Sequence, residues 1–232
     1  MSELAWLGED KHLFPAPTTA LTEPNGLLAA GGDLDPERIL QAYQQGIFPW
    51  YEDDQPILWW SPDPRMVLFP DELHISKSLK KQLHKNTFTV TYDQAFPAVI
   101  RACSGQRNYT SETWITDDMQ EAYIELHQLG FAHSAEAWLE GELVGGLYGL
   151  SIGKMFFGES MFSHHSNASK VAFVHLTLAL KEQGYTLIDC QVASQHLASF
   201  GARDISREEF LHQLQQNSRE INIAKPSDWP LK

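Results

Sequence analysis

Two cysteines in 232 residues, Cys103 and Cys190, are too few for a disulfide framework. They are expected to be free, buried thiols in a reducing cytoplasm. Ten histidines are present, but the chain has no HExxH pair, no paired CxxC, no Walker A loop and no nucleophile elbow. No metal is expected. The first eleven residues are acidic and broken by Gly8, which excludes the layout of a secretory leader. No apolar run reaches the roughly 20 residues of a membrane span, so neither a membrane partner nor any location but the cytoplasm is expected. Positive charge is scarce: 17 Lys and Arg stand against 30 Asp and Glu, for a net charge of -13. That balance excludes general coating of a nucleic acid.

The scarcity is uneven. Residues 1–62 hold only Lys11 and Arg38 against ten acids, a balance of -8. Residues 73–92 hold four lysines and two histidines with no acid at all. A local basic patch on an acidic protein suits docking of a defined polyanion.

The most informative stretch is 143–191. Leu143–Ile152 is an apolar run containing Gly145, Gly146 and Gly149, Gly153-Lys154 is a tight turn, and Met155–Phe162 is the returning strand. A polar loop, SHHSNAS, leads to a helix over Lys170–Gln183 that is apolar on almost every face and so should be buried. Gly184 ends it. Tyr185–Val192 reads as a strand whose alternation puts Asp189 and Gln191 on one face, roughly 7 Å apart. Such a pair is costly unless partnered. It either converges on a small group or is a polar strand end facing water.

Elsewhere the punctuation is clear. Residues 1–34 are loop-like. Asp35 caps a helix with Pro36 at its first position, ended by Gly46. The aromatic and proline-rich segments IFPWY and WWSPDPR form a rigid irregular surface, either a cluster stabilising loops or a stacking platform for a base. Residues 76–85 form a helix with Leu79 and Leu83 on one side and Lys77, Lys80, Lys81, His84 and Lys85 on the other. The lysines are either a solvated face or a phosphate-binding field. Phe88–Tyr92 is a strand, Asp93 caps a helix through Cys103, and Thr116 caps another with Asp117 and Asp118 in its first turn. Ala132–Leu139 is a strand, Ser194–Phe200 a short helix, and Ser206–Glu209 a capping box. The tail after Asn217 is loosely ordered. Helices interleaved with a mostly antiparallel sheet give an α+β fold. The glycine-rich strand pair followed by loop, helix and strand is the outline of a GNAT-like acetyltransferase core. The SHHSNASK loop lacks the glycines that seat a pyrophosphate in those enzymes, which counts against coenzyme A.

The stretches GLLAAGGDLDPERILQAYQQGIFPWY, ILWWSPDPRMVL, TWIT, LVGGLYGL, FFGESMFS, ASKVA and IDCQV occur in this order. Together they resemble the bacterial leucyl/phenylalanyl-tRNA–protein transferases over nearly the whole chain. The resemblance implies an aminoacyltransferase that moves Leu or Phe, and less well Met, from aminoacyl-tRNA to the α-amino group of proteins with N-terminal Arg or Lys. The product would be marked for N-degron degradation. It also implies a small N-terminal α/β domain over 1–62 and a GNAT-like catalytic domain over 63–232, with mixed sheet and flanking helices. No metal or organic cofactor is implied, and a monomer is expected.

The resemblance assigns candidate roles. Trp50 and Trp114 would wall the terminal adenosine. Leu147, Phe156, Phe173 and Ile188, with Met161 nearby, would form the pocket for the amino-acid side chain. Phe173 stands where a leucine is expected, which would narrow the pocket in favour of leucine. Glu159 would orient the substrate, and Asp189 with Gln191 would be the catalytic pair. In one scheme Asp189 polarises Gln191, whose amide oxygen draws a proton from the amine; in the other the pair only positions. Lys77, Lys80, Lys81 and Lys85 would contact tRNA phosphates. Alternation conflicts with two assignments, since Ile188 and Asp189, and likewise Phe156 and Glu159, should face opposite ways. A bulge near Gly158 would resolve the second conflict, and the first needs the strand to splay or end. Rival readings are a coenzyme A-dependent N-acyltransferase of the same fold and a non-catalytic tRNA-binding module.

Overall fold

The computed structural model describes residues 4–105, 115–217 and 229. It contains two sheets, one built entirely from the first 60 residues and the other from residue 65 onward. The first joins β1 (Ala5–Leu7), β2 (Leu27–Gly31), β3 (Phe48–Pro49) and β4 (Leu58–Trp60) in the order β1-β2-β4-β3. Here the sequence expectation is corrected twice. Residues 27–31 are a strand, not loop, and the aromatic segments pair as β3 and β4. Trp59 and Trp60 each anchor this sheet through the indole N–H, bonded to Gly31 and Trp50 carbonyls at 2.9 and 2.7 Å. Helix α1 (Pro36–Tyr43) starts as expected, with the Asp35 carboxylate accepting the Glu37 N–H.

The second sheet has seven strands. Its members are β5 (Arg65–Leu68), β6 (Thr89–Tyr92), β7 (Ala132–Leu139), β8 (Glu142–Ile152), β9 (Met155–Ser163), β10 (Leu187–Gln191) and β11 (Arg203–Ile205). Their order is β11-β5-β10-β9-β8-β7-β6, and only the β9–β10 pair is parallel. A parallel neighbour requires a crossover, supplied by α5 (Ala168–Glu182). That helix is buried along most of its length, as its all-round apolar sequence requires. It lies close on β8 because Gly145 has no side chain: a Cβ there would sit 2.5 Å from that of Ala168. Helices α2 (Lys77–His84), α3 (Phe96–Ser104), α4 (Asp117–Gln128), α6 (Gln195–Ala198) and α7 (Arg207–Asn217) complete the α+β fold, which reproduces the GNAT-like outline.

The caps expected at Thr116 and Ser206 are present as side-chain acceptors, and Ser76 and Ser194 cap α2 and α6 in the same way. Asp93 is not a cap. Helix α3 begins after Ala95 without a side-chain cap, and Asp93, at φ +55°, instead accepts the Ser134 N–H and pairs with the His133 ring. Trp229 also departs from the loose tail expected there. It is buried, stacked on His133 at 4.1 Å and near Phe156 at 5.7 Å. Among the described residues no helix is long and apolar enough to cross a membrane.

Candidate active site

A cavity of about 340 Å³ opens where β9 and β10 meet β3 and α6. Leu147, Phe156, Met161, Phe173 and Ile188 form its apolar wall, and Glu159, Asp189 and Gln191 its polar edge. Phe48, Pro49 and Trp50 close it from the first sheet. The volume is at the low end for small-ligand sites, matching an amino-acid side chain more closely than a whole coenzyme. Trp114 lies outside the described residues. Lys77, Lys80 and Lys81 on α2, and Lys85 just past its end, are exposed and do not line the cavity.

Two bulges explain how alternation is broken. Between β8 and β9 the register steps from Tyr148 opposite Ser160 to Gly149 opposite Gly158, so Glu159 is the extra residue. The bulge presses β9 onto β8, and a Cβ on Gly149 would come within 2.1 Å of the Phe157 carbonyl oxygen. Phe156 and Glu159 thereby reach the same cavity. In β10 the register slips between Asp189 and Gln191, and Gln191 adopts φ +64°. The strand ends there, with Ile188 through Val192 all at the cavity wall.

The polar edge is fully networked. Asp189 has no exposed surface and is held by Arg65 in a two-pronged ion pair, Nε to Oδ1 at 2.9 Å and Nη2 to Oδ2 at 2.6 Å. Its Oδ1 also accepts the Gln191 backbone N–H at 2.9 Å. The side-chain relay from Asp189 to the Gln191 amide is therefore corrected: the bond between them runs through the backbone. The Gln191 amide nitrogen donates to Glu159 Oε1 at 3.0 Å, which leaves the amide oxygen as an acceptor. Tyr123 donates to Glu159 Oε2 at 3.3 Å and shares a 2.6 Å hydrogen bond with Tyr43.

Burial pushes Glu159 up to about 7. The hydroxyls of Tyr43 and Tyr123 and the Gln191 amide offset part of that rise, and the charge of Asp189 adds to it. Burial also raises Tyr43 and Tyr123 well above the usual phenol range, so both remain protonated donors. Cys190, at the cavity wall, is pushed up chiefly by burial, which makes it a poor thiolate and excludes it as a nucleophile. Arg65, Tyr43, Tyr123, Phe48 and His196 were not singled out by sequence reasoning. Arg65 and Phe48 lie in motifs that carried the resemblance, but spacing alone does not reveal a partner more than 100 residues away.

Asp93, His127 and His133 bring ligand-type atoms within 4.8 Å of one another. Most of their hydrogen bonds are made within the fold: His127 Nδ1 meets the Ala132 carbonyl, and Asp93 binds His133 Nδ1 and the Ser134 N–H, while His133 Nε2 is buried without a hydrogen-bond partner among the described residues. The set acts as a clasp between α4, β7 and the start of α3. At the N-terminus of α5, Ser163 Oγ accepts the Ser169 N–H at 3.3 Å, and Asn167 takes φ +69°.

A family model described as leucyl/phenylalanyl-tRNA protein transferase matches residues 67–215, and the model for that family's N-terminal domain matches residues 32–63. The chain belongs to this family. A Stutzerimonas stutzeri protein named leucyl/phenylalanyl-tRNA–protein transferase is 57% identical over 97% of this chain and 99% of its own length. Like-named proteins of Pseudomonas entomophila and Pseudomonas aeruginosa are each 60% identical, covering 97% and 92% of this chain and 99% and 94% of theirs. Membership of the leucyl/phenylalanyl-tRNA–protein transferases makes the chain an aminoacyltransferase, an enzyme and not a passive binding module. Among solved structures, L-PGS from Bacillus licheniformis overlaps 68% of this chain and 51% of its own at 14% identity, TM-score 0.38. A GCN5-related N-acetyltransferase from Kribbella flavida overlaps 72% and 60% at 10% identity, also TM-score 0.38. Overlaps of that size bear on neither activity nor substrate.

Proposed function

We propose that the protein transfers Leu or Phe, and less well Met, from aminoacyl-tRNA to the α-amino group of proteins with N-terminal Arg or Lys, marking them for N-degron degradation. The observation that carries this reading is the cavity itself: an apolar hollow, in a chain of this family, edged by one carboxylate that no cation among the described residues neutralises. The amino-acid side chain occupies the hollow between Leu147, Phe156, Met161, Phe173 and Ile188. The terminal adenosine lies against Trp50, an exposed ring set on Trp60 at 5.8 Å. Residues 1–62 act as one domain supplying this wall, and residues 63–232 as the catalytic domain. The α2 lysines hold tRNA phosphates.

The ester of aminoacyl-tRNA is already activated, so the site's task is positioning and one proton transfer. The amine nitrogen bonds to the ester carbonyl carbon, and the bond from that carbon to the ribose oxygen breaks. One N–H proton must leave the nitrogen and one must reach the departing oxygen. Asp189 is occupied by Arg65, and an amide is a very weak base. Glu159, lifted to about 7, lies close to the roughly 7.7–8.0 of an α-amine. It takes the proton and returns it to the ribose oxygen, while the Gln191 amide oxygen orients the incoming amine. The test is transfer of labelled leucine from charged tRNA to a peptide beginning with arginine, beside one beginning with alanine. Transfer to the first alone is expected; none to either, or equal transfer to both, overturns the reading.

A further inference from the structure

We propose that Arg65 is a positioning residue for the transfer reaction: through Asp189 it locks Gln191 in the conformation that meets the substrate. This rests on the role given above to Gln191 and Glu159. Gln191 sits at φ +64°, a left-handed conformation uncommon for residues other than glycine. Such backbone persists only when its surroundings over-determine it. Two hydrogen bonds hold it: a local one across it, from the Val192 N–H to the Cys190 carbonyl at 2.8 Å, and a tertiary one from its own N–H to Asp189 Oδ1 at 2.9 Å, which ties the turn to the rest of the site. Asp189 is in turn immobilised by the planar fork of Arg65.

Arg65 is itself caged. It is 1% exposed, its guanidinium lies 4.6 Å from the ring centres of both Phe48 and Phe210, and Nη1 reaches the Gly46 carbonyl at 3.4 Å. Phe48 comes from the first sheet, Phe210 from α7 and Asp189 from β10, so three parts of the fold converge on one side chain. A buried ion pair is weak evidence for stability, because desolvation offsets most of the attraction. Geometry is what this one supplies. Arg65 does not line the cavity, so it acts through Asp189 without touching substrate. Without the fork, Asp189 can turn, Gln191 loses its backbone anchor, and its amide leaves Glu159.

The test uses Arg65→Lys, which keeps the charge and loses the fork. Turnover is normalised to the stoichiometry of tRNA binding, so unfolded protein does not count. The expected result is a kcat at least tenfold lower, with KM for aminoacyl-tRNA within twofold of wild type. The acid limb of the kcat–pH profile should also move to higher pH, because Glu159 loses the amide that favours its ionised form; of the other groups facing it, the Tyr43 and Tyr123 hydroxyls are unchanged, and Asp189, released from the fork, keeps a charge that acts in the same upward direction. A kcat within twofold of wild type, or a loss shared by kcat and binding with the pH limb unmoved, overturns the proposal. Should Arg65→Lys bind no tRNA, Phe210→Leu decides in its place: it removes one ring of the cage, and a kcat at least threefold lower at unchanged KM is required. Wild-type protein that transfers nothing would instead overturn the reading on which the clamp depends, a result distinct from active wild type with an indifferent variant.

Discussion

Replacing Glu159 by glutamine separates its proton chemistry from its shape. The amide is isosteric and keeps an oxygen for Tyr123 or Gln191, but it cannot titrate. In the folded protein burial holds the Glu159 carboxyl at about 7, against an ordinary value of 4.5. A carboxyl with a raised folded value binds its proton more tightly in the fold than in the unfolded chain. Its contribution to stability is therefore complete below about pH 4.5 and is lost as the pH rises through about 7. At about 1.4 kcal/mol per pH unit, the loss is at most ~3.5 kcal/mol. For a chain of this size 1 kcal/mol moves Tm by about 2–4 °C. Between pH 5 and pH 8 the wild-type Tm should thus fall relative to that of Glu159→Gln by up to roughly 10 °C. The variant should be the more stable of the two at pH 8, yet slower by about 10²–10⁴ in turnover, the usual worth of a general base. Thermal melts at a series of pH values, with single-turnover transfer from charged tRNA, read both effects. Parallel melting curves for the two proteins would refute the buried, raised carboxyl. Turnover within about threefold of wild type would refute its role as proton acceptor.

Three further outcomes test how substrate is held. Phe173→Leu should enlarge the hollow and raise the ratio of phenylalanyl to leucyl transfer in kcat/KM by about 10-fold, since apolar pockets discriminate by about 1–3 kcal/mol per methylene; an unchanged ratio removes Phe173 from the pocket. Trp50→Ala should raise KM for aminoacyl-tRNA by roughly 5- to 150-fold, the worth of about 1–3 kcal/mol of base stacking, and a KM within twofold of wild type would contradict that placement. Alanine at Lys77, Lys80, Lys81 and Lys85 together should weaken tRNA binding and flatten the slope of log K against log salt by about 1 for each phosphate no longer neutralised. Unchanged affinity at low salt would show that α2 only faces solvent.

The residues that meet in the cavity are legible as a set because they lie in a few dense motifs. Leu147, Phe156, Glu159, Met161, Phe173, Ile188, Asp189 and Gln191 all come from one stretch of strand, strand, helix and strand. Their mutual geometry is not legible. Alternation separates Phe156 from Glu159, and only the bulge brings them to one side. The strand pair at 48–49 and 58–60 is hidden for a different reason: proline and aromatic residues there obscure any alternating pattern, and pairing with β2 decides the conformation.

From the sequence alone came the helix starts at Asp35, Ser76, Thr116 and Ser206, the burial of α5, and the strand, strand, helix, strand order of residues 143–191. Each of these depends on interactions within about four residues along the chain or on one element's own apolar face, so local sequence suffices. Asp93 shows the limit of that logic, because a good capping residue was drawn off by His133 and Ser134 on the neighbouring strand. Only the tertiary structure decided that Asp189 belongs to Arg65, 124 residues away, and that Tyr43 and Tyr123, 80 residues apart, extend the network of Glu159. Strand register brings such groups together, and register is set by the packing of the whole sheet. The same packing excludes water from Glu159, and that exclusion gives an ordinary glutamate a proton affinity suited to neutral pH.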